Sequence, residues 1–494
     1  MSVNNRRVIV IGAGYAGLAA AACLSQQGFE VTILEKNSQP GGRARLLEAE
    51  GFRFDMGPSW YWMPDVFEAF FQKFGHATAD YYTLQQLDPA YAVFFGPDHM
   101  AAMPAQPEDR MQLFETYEKG AGQRLQQFLA EAAYKYQVGM EDLVYKPGQS
   151  VWELADWRVL KGLVRLHLFQ SFHRHVRKYF NNAHLLQLLE FPVLFLGATP
   201  RKIPALYSLM NYADIALGTW YPMGGMHEPI KAMVKLNESL GTKLLMNTEV
   251  KGLEIDNRQV QRVLTDQASL PADIVVANGD YHHVEQHLLP KAHRTYSPAY
   301  WDKRVLAPSC LLYYLGINKR LERLHHHNLF FHTSMQRHFQ EIYEAPQWPS
   351  DPLFYVSCTS KTDPTVAPAG CENLFILIPV APGLQDTPEV RAKYLQHTLQ
   401  KLEELTGEAI QQHVVYQKSY AHQDFVQDYH AFKGNAYGLA STLWQTALLR
   451  PSLRSKKVRN LYYTGQFTVP GPGVPPALIS GQVVAKEIVK TYKQ

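Results

Sequence analysis

Between Val8 and Glu35 the spacing of hydrophobic positions changes twice. Val8-Ile9-Val10-Ile11 is an unbroken β-branched run, which predicts a short strand buried on both faces. Gly12-Ala13-Gly14-Tyr15-Ala16-Gly17 interrupts it, and Leu18, Ala21, Ala22 and Leu24 then mark the apolar face of a helix that Gly28 stops. Glu30 to Leu34 predicts a second strand, ended by Glu35. Val250, Leu253 and Ile255, followed by Val260 and Val263, alternate around Asp256-Asn257-Arg258, so a hairpin is expected there. Ala272 to Asn278 reads as a strand returning to the first sheet, and Asn460 to Gly465 as another. After the latter comes Pro470-Gly471-Pro472-Gly473-Val474-Pro475-Pro476, then a helix from Ala477 through Ser480 and Gly481. Prolines are tolerated at a helix start, where a missing N–H has no partner to lose.

The first of these units has the chemistry of a dinucleotide site. Gly12 permits a tight turn, Gly14 lets backbone approach a pyrophosphate, and Gly17 lets helix pack closely on strand. The amide dipoles of the helix then face the phosphates. Glu35 lies 23 residues after Gly12, where a carboxylate accepts hydrogen bonds from ribose hydroxyls and repels a 2′-phosphate. An adenosine dinucleotide without that phosphate is therefore expected.

Gln39-Pro40-Gly41-Gly42-Arg43-Ala44 resembles the G-G-R segment of the flavoprotein superfamily that includes amine oxidases, protoporphyrinogen oxidase, Rab escort proteins and carotenoid desaturases. The resemblance implies FAD, with Arg43 reaching the diphosphate or nearby flavin. Three further segments resemble bacterial-type phytoene desaturases: Phe54-Asp55-Met56-Gly57-Pro58-Ser59, Trp220-Tyr221-Pro222-Met223-Gly224-Gly225-Met226, and the proline- and glycine-rich loop before the last helix. Asp55 also has a purely structural reading, as an acid closing a Gly-Pro turn. Fingerprint and resemblance together imply cofactor contacts at Gly12, Gly14, Ala16, Gly17, Glu35, Lys36, Gly42, Arg43, Gly57, Pro58, Ser59, Val250, Asn278, Gly465, Gly473, Val474 and Pro475. The amino end of the final helix would stabilise negative charge arriving on the flavin.

The implied fold is mixed α/β: a Rossmann-like FAD-binding domain, a discontinuous substrate domain, and a helical cap that meets a membrane. Segments at about 1–75, 221–295 and 440–494 would form the cofactor domain, with about 76–220 as cap and about 296–439 as substrate domain. Val159, Leu160, Leu163, Val164, Leu166, Phe169 and Phe172 recur at helical spacing among Arg158, Lys161, Arg165, Arg174, Arg177 and Lys178. Such a basic amphipathic stretch suits the surface of an anionic bilayer, or equally an ordinary core-packed helix with solvated cations.

Charge and composition narrow the remaining classes. A formal charge of +3 over 494 residues gives no ground for expecting nucleic acid. Cys23, Cys310, Cys358 and Cys371 lack dithiol or zinc spacing and fit a reducing compartment. Arg6-Arg7 before an apolar run has the outline of a secretory signal, but Gly12, Gly14 and Gly17 would weaken such a helix. His282-His283 and His325-His326-His327 lack a helical ligand pair, so no metal is expected.

The resemblance implies a cytoplasmic, membrane-peripheral enzyme that removes hydride from a long apolar isoprenoid, most simply phytoene on the way to lycopene, with oxygen or a quinone as final electron acceptor. A diapo-precursor, a hydroxylated carotenoid, a carotenoid isomerisation, or an isoprenoid-binding escort without catalysis are the alternatives. Asp424, His422 and Lys433 fall in segments resembling late desaturase motifs and are the candidate catalytic groups for proton removal.

Overall fold

The computed structural model describes residues 6–150, 166–167 and 170–493. Strand β1, Arg7–Ile11, is the middle of a five-stranded parallel sheet. On one side lie β2, Glu30–Leu34, and β3, Lys243–Leu245. On the other lie β4, Ile274–Ala277, and β5, Leu461–Tyr463. Strand order reverses at β1, which opens a crevice beyond the carboxyl ends of the strands, where open α/β sheets take ligands.

The two-residue period of β1 divides its neighbours. Val8 and Val10 pack with helix α1, Tyr15–Gln26, while Ile9 and Ile11 pack with Val250, Leu253, Val260 and Val263 of the expected hairpin. That hairpin pairs Val250–Asp256 with Gln259–Thr265, and Asn257 and Arg258 take φ of +48° and +61°, as a two-residue hairpin turn requires. Helix α2, Glu228–Ser239, lies against α1, where Asn237 Nδ2 donates to the Leu18 carbonyl at 3.1 Å. The last helix, α3, Val474–Tyr492, starts three residues before Ala477 because Pro475 and Pro476 occupy its first turn.

A seven-stranded sheet forms the second layer, with Ser309–Ile317 paired antiparallel to Glu372–Val380 as its second and third strands. Both strands are apolar on both faces, and each face has a partner. Leu311, Tyr313 and Leu315 pack with Tyr394, Leu399 and Leu402 of the helix Pro388–Thr406, whereas Cys310, Leu312 and Tyr314 turn toward the large core shared with α1. The strands Tyr91–Gly96 and His99–Met103 close one edge of this sheet.

Most of the basic amphipathic stretch, Val159, Leu160, Leu163, Val164 and Phe169 with Arg158, Lys161 and Arg165, lies outside the described residues. Within them, Leu166 and Phe172 are buried and Arg174, Arg177 and Lys178 are exposed. Among the described residues, no helix is long and apolar enough to cross a membrane.

Candidate active site

A cavity of about 830 Å³ begins at the carboxyl ends of β1 and β2 and is lined by both glycine turns, although more than four hundred residues separate them in the chain. Gly12, Gly14 and Ala16 line it from one turn, and Gly465, Gly473, Val474 and Pro475 from the other. Asn278 joins them. Its Nδ2 donates to the Gly12 carbonyl at 3.2 Å, and its Oδ1 lies 3.1 Å from where a Cβ on Gly465 would stand. The Ser480 hydroxyl accepts from the Gly465 amide at 3.1 Å and so fixes the second turn to α3.

Close packing of the helices produces this convergence. A Cβ on Gly481 of α3 would stand 2.2 Å from the Ala16 carbonyl oxygen and 2.8 Å from Ala19 Cβ, so α3 rests directly on the alanine face of α1. Gly17 is the one expected cofactor position that does not line the cavity. A Cβ there would stand 2.1 Å from the Gly12 carbonyl oxygen, so its part is to seat α1 on the turn.

The polar end of the cavity is held by a few charged groups. Glu35 is buried, with one carboxylate oxygen accepting the Ala13 amide at 2.8 Å and the other accepting the Asn37 amide at 2.9 Å. Lys36, Val250, Gly57, Pro58 and Ser59 also line the cavity, with Gly42 and Arg43. Gly42 takes φ of +56°, and the Tyr429 hydroxyl donates to its carbonyl at 3.1 Å. The Arg43 guanidinium lies over the Tyr429 ring and donates to the Asn435 carbonyl at 3.3 Å, but makes no ion pair among the described residues, and its Nε is buried without a hydrogen-bond partner. Burial pushes its pKa down, against the opposing pull of the Asp280 carboxylate. Asp280, also on the wall, is pushed up to about 6 by burial and accepts the amides of His283 and Phe432, both at 3.1 Å. An anionic dinucleotide fits this end: glycine turns without side chains, a helix amino terminus, an acceptor at Glu35 and an unpaired buried guanidinium.

The remainder of the cavity is apolar. Trp60, Trp62, Met140, Leu143, Leu206 and Met210 line it, with Leu312, Tyr355 and Leu377 from the seven-stranded sheet. Asp55 lies outside the cavity and accepts the Met226 amide at 2.8 Å, so the Phe54-Asp55 and Trp220–Met226 segments meet through it at the start of α2. Burial raises its pKa to about 7.

Asp424, His422 and Lys433, the candidate catalytic groups, do not line the cavity. Asp424 accepts the Ala421 amide at 2.8 Å and pairs with Arg391 at 2.7 Å, as a helix cap. His422 is buried with Nε2 2.8 Å from the Ala381 carbonyl, and burial lowers its pKa. Lys433 points outward to Asp302 at 3.4 Å. The helix His422–Tyr429 reaches the cavity one turn later, through Phe425, Asp428 and Tyr429. Replacing Asp424 by Ala is accordingly expected to lower stability by about 0.5–2 kcal/mol, as loss of a cap does, and Lys433→Met to leave turnover within about twofold, since distant exposed changes do little. Melting curves and steady-state rates check both.

The paired histidines are packing groups: His327 stacks on Trp60 at 4.1 Å and His283 on His430 at 3.9 Å. A different set, Glu131, His167 and His175, places its ligating atoms within 4.8 Å of one another. The Lys135 ammonium already sits among them, 2.8 Å from Glu131 Oε1 and 3.2 Å from His175 Nε2. No local sequence spacing announced that cluster, nor the parts of Asp280 and Tyr429.

The family of flavin-containing amine oxidoreductases matches residues 15–489. Over 496 residues, covering 99% of each chain, the sequence is 44% identical to a carotenoid 3,4-desaturase of Haloarcula japonica. The chain belongs to the carotenoid desaturase family. It is also 30% identical to a zeta-carotene-forming phytoene desaturase of Myxococcus xanthus, over 99% of this chain and 95% of that one. A solved putrescine oxidase variant superposes with a TM-score of 0.64 at 14% identity, covering 99% of each chain, which shows the shared fold alone. Like other members of this flavin family, the desaturase is an FAD-dependent oxidoreductase, and the cavity described above is its candidate flavin site.

Proposed function

We propose that this carotenoid desaturase forms the C3–C4 double bond of a carotenoid. The observation carrying the reading is the single cavity that is glycine-lined and charged where the dinucleotide fits and apolar beyond it. Identity of 44% to the Haloarcula 3,4-desaturase, against 30% to the Myxococcus phytoene desaturase, favours this late bond over the conversion of phytoene to lycopene expected from sequence.

In this reading Glu35 would accept the ribose hydroxyls, Arg43 would neutralise the diphosphate, and the amino end of α3 would help hold the cofactor. Bound FAD would supply a two-electron acceptor for hydride from an allylic carbon of the substrate; loss of a proton from the neighbouring carbon to water would complete the new double bond, and oxygen or a membrane quinone would take up the two electrons. The apolar walls would align the chain. The segments at about 1–75, 221–295 and 440–494 make the cofactor domain of this proposal, and the rest makes the substrate domain and cap.

A substrate dissolved only in lipid requires a surface where the cavity opens. Ala447 is exposed and also lines the cavity, and beside it in the same loop Trp444 is 77% exposed and Leu449 is 50% exposed. The loop is held in place. Gln445 accepts from the Val305 amide at 3.0 Å and donates to the Val305 carbonyl at 2.8 Å, and Val305 is itself 50% exposed. This patch is read as the point of contact with the membrane, where tryptophan is favoured. Trp444→Ser with Leu449→Ser is expected to reduce sedimentation with anionic liposomes at least fivefold while flavin content stays unchanged.

The function is tested by incubating FAD-loaded protein and a quinone with liposomes carrying either phytoene or a carotenoid saturated at C3–C4, then separating the pigments. A new C3–C4 double bond with phytoene unchanged is expected. Conversion of phytoene alone would return the assignment to the earlier step.

A further inference from the structure

A second buried arginine stands behind the cavity wall. Arg450 is 5% exposed and does not itself line the cavity, but two of the residues it bonds do, Ser441 and Gln466. Its Nη1 donates to the Gln466 carbonyl at 3.2 Å, and its Nη2 donates to Ser441 Oγ at 3.0 Å and to the Leu439 carbonyl at 3.3 Å. The Nε is buried without a hydrogen-bond partner. The guanidinium also lies against the proline- and glycine-rich loop: a Cβ on Gly471, where φ is +137°, would stand 3.0 Å from Nη2 and 3.3 Å from Cζ. Pro470, Pro472 and Gly473 of the same loop line the cavity. Among the described residues no carboxylate forms an ion pair with Arg450, and the acidic group that acts on it is the Tyr207 hydroxyl, which burial keeps protonated. Burial pushes the Arg450 pKa down to about 10, which leaves it charged at neutral pH.

We propose that Arg450 is a positioning residue for the flavin, and that its uncompensated charge favours the reduced cofactor over the oxidised one. All three of its acceptors are neutral, two carbonyls and a hydroxyl, so they orient the cation without cancelling it. Burying such a charge is costly unless an anion compensates it. Reduction would bring one. Hydride carries two electrons and one proton, so the reduced cofactor bears one more negative charge than the oxidised one. Where apolar walls exclude water, screening is weak, and a fixed cation one residue behind the wall still acts on charge that arrives inside. A hydrocarbon is a poor hydride donor, so stabilising the reduced cofactor makes it a stronger acceptor for this substrate class. The inference goes beyond the C3–C4 reading: it rests on the flavin site alone and holds whichever carotenoid bond is formed.

Arg450→Gln and Arg450→Met remove the charge, the first keeping a hydrogen-bond donor, and Arg450→Lys keeps the charge without the planar fork. The FAD-loaded proteins are reduced at pH 7 without oxygen beside a reference dye, which reads the midpoint potential with no carotenoid present, and FAD content is read from absorbance. Both neutral variants are expected to lose about tenfold or more of the preference for the reduced form, a fall of about 30 mV in a two-electron potential. Arg450→Lys is expected to stay within about threefold of wild type, because the charge remains. Neutral variants with the wild-type potential would overturn the proposal, as would an Arg450→Lys potential as low as theirs. Neutral variants that no longer retain oxidised FAD would make Arg450 a clamp of the loop and overturn it equally. A wild-type protein that binds no FAD would instead overturn the flavin site beneath it.

Discussion

Gly481→Val is expected to yield protein that purifies without its flavin. The first carbon of the new side chain would stand 2.2 Å from the Ala16 carbonyl oxygen, 2.8 Å from Ala19 Cβ and 2.9 Å from the Ala20 amide nitrogen. Two of these are backbone atoms of α1, which no rotamer change moves aside. α3 must therefore back away from α1, at a cost of about 1–3 kcal/mol by the usual measure of overpacking. Stability is the smaller consequence. The amino ends of both helices line one cavity, through Gly14 and Ala16 on one side and Gly473 and Val474 on the other, so separating the helices separates two halves of the flavin site. Flavin absorbance per polypeptide is expected to fall at least tenfold, with a folded circular-dichroism spectrum retained. Wild-type flavin content in this variant would show that the helix contact does not set the site.

The second large effect is expected at Glu35. Its carboxylate is buried, accepts the backbone amides of Ala13 and Asn37 and the Asn37 side-chain amide, and lines the cavity. Glu35→Ala removes a charged acceptor and leaves the Ala13 amide without a partner. Hydrogen bonds to charged groups contribute about 1.5–3 kcal/mol each, so two lost to the ribose hydroxyls correspond to a weakening of about 100-fold or more. Titrating the flavin-free protein with FAD measures this directly, and melting the flavin-free protein reports the local share. Equal losses of stability with and without FAD would assign Glu35 to the fold alone. Glu35→Gln separates the contributions, since it keeps a neutral acceptor and loses the charge.

Between Val8 and Glu35 the fold is legible in the residues themselves because every contact there is local: a strand, a turn and a helix whose identities follow from period and from three glycines. The same holds for the Asn257-Arg258 hairpin, where turn chemistry sets the register. Proton handling is not legible in that way. Asp424, His422 and Lys433 have the right chemical types, yet Arg391, the Ala381 carbonyl and Asp302 claim them, and each partner lies more than thirty residues distant in sequence. Side-chain direction, set by those partners, decided that Phe425 and Tyr429 meet the cavity and these three do not.

By itself the amino-acid sequence determined the nucleotide fold, because phosphate turns and buried strands depend on residue types at fixed short spacings, while the flavin and the family were legible through the resemblance of its motif segments. Tertiary structure alone decided that Asn278 ties the two glycine turns together, that the Arg43 guanidinium lies over the Tyr429 ring, and that Asp424, His422 and Lys433 lie off the cavity. Each of these is a relation between side chains brought together by packing of the second sheet and the last helix. No periodicity along the chain encodes where such distant faces will meet.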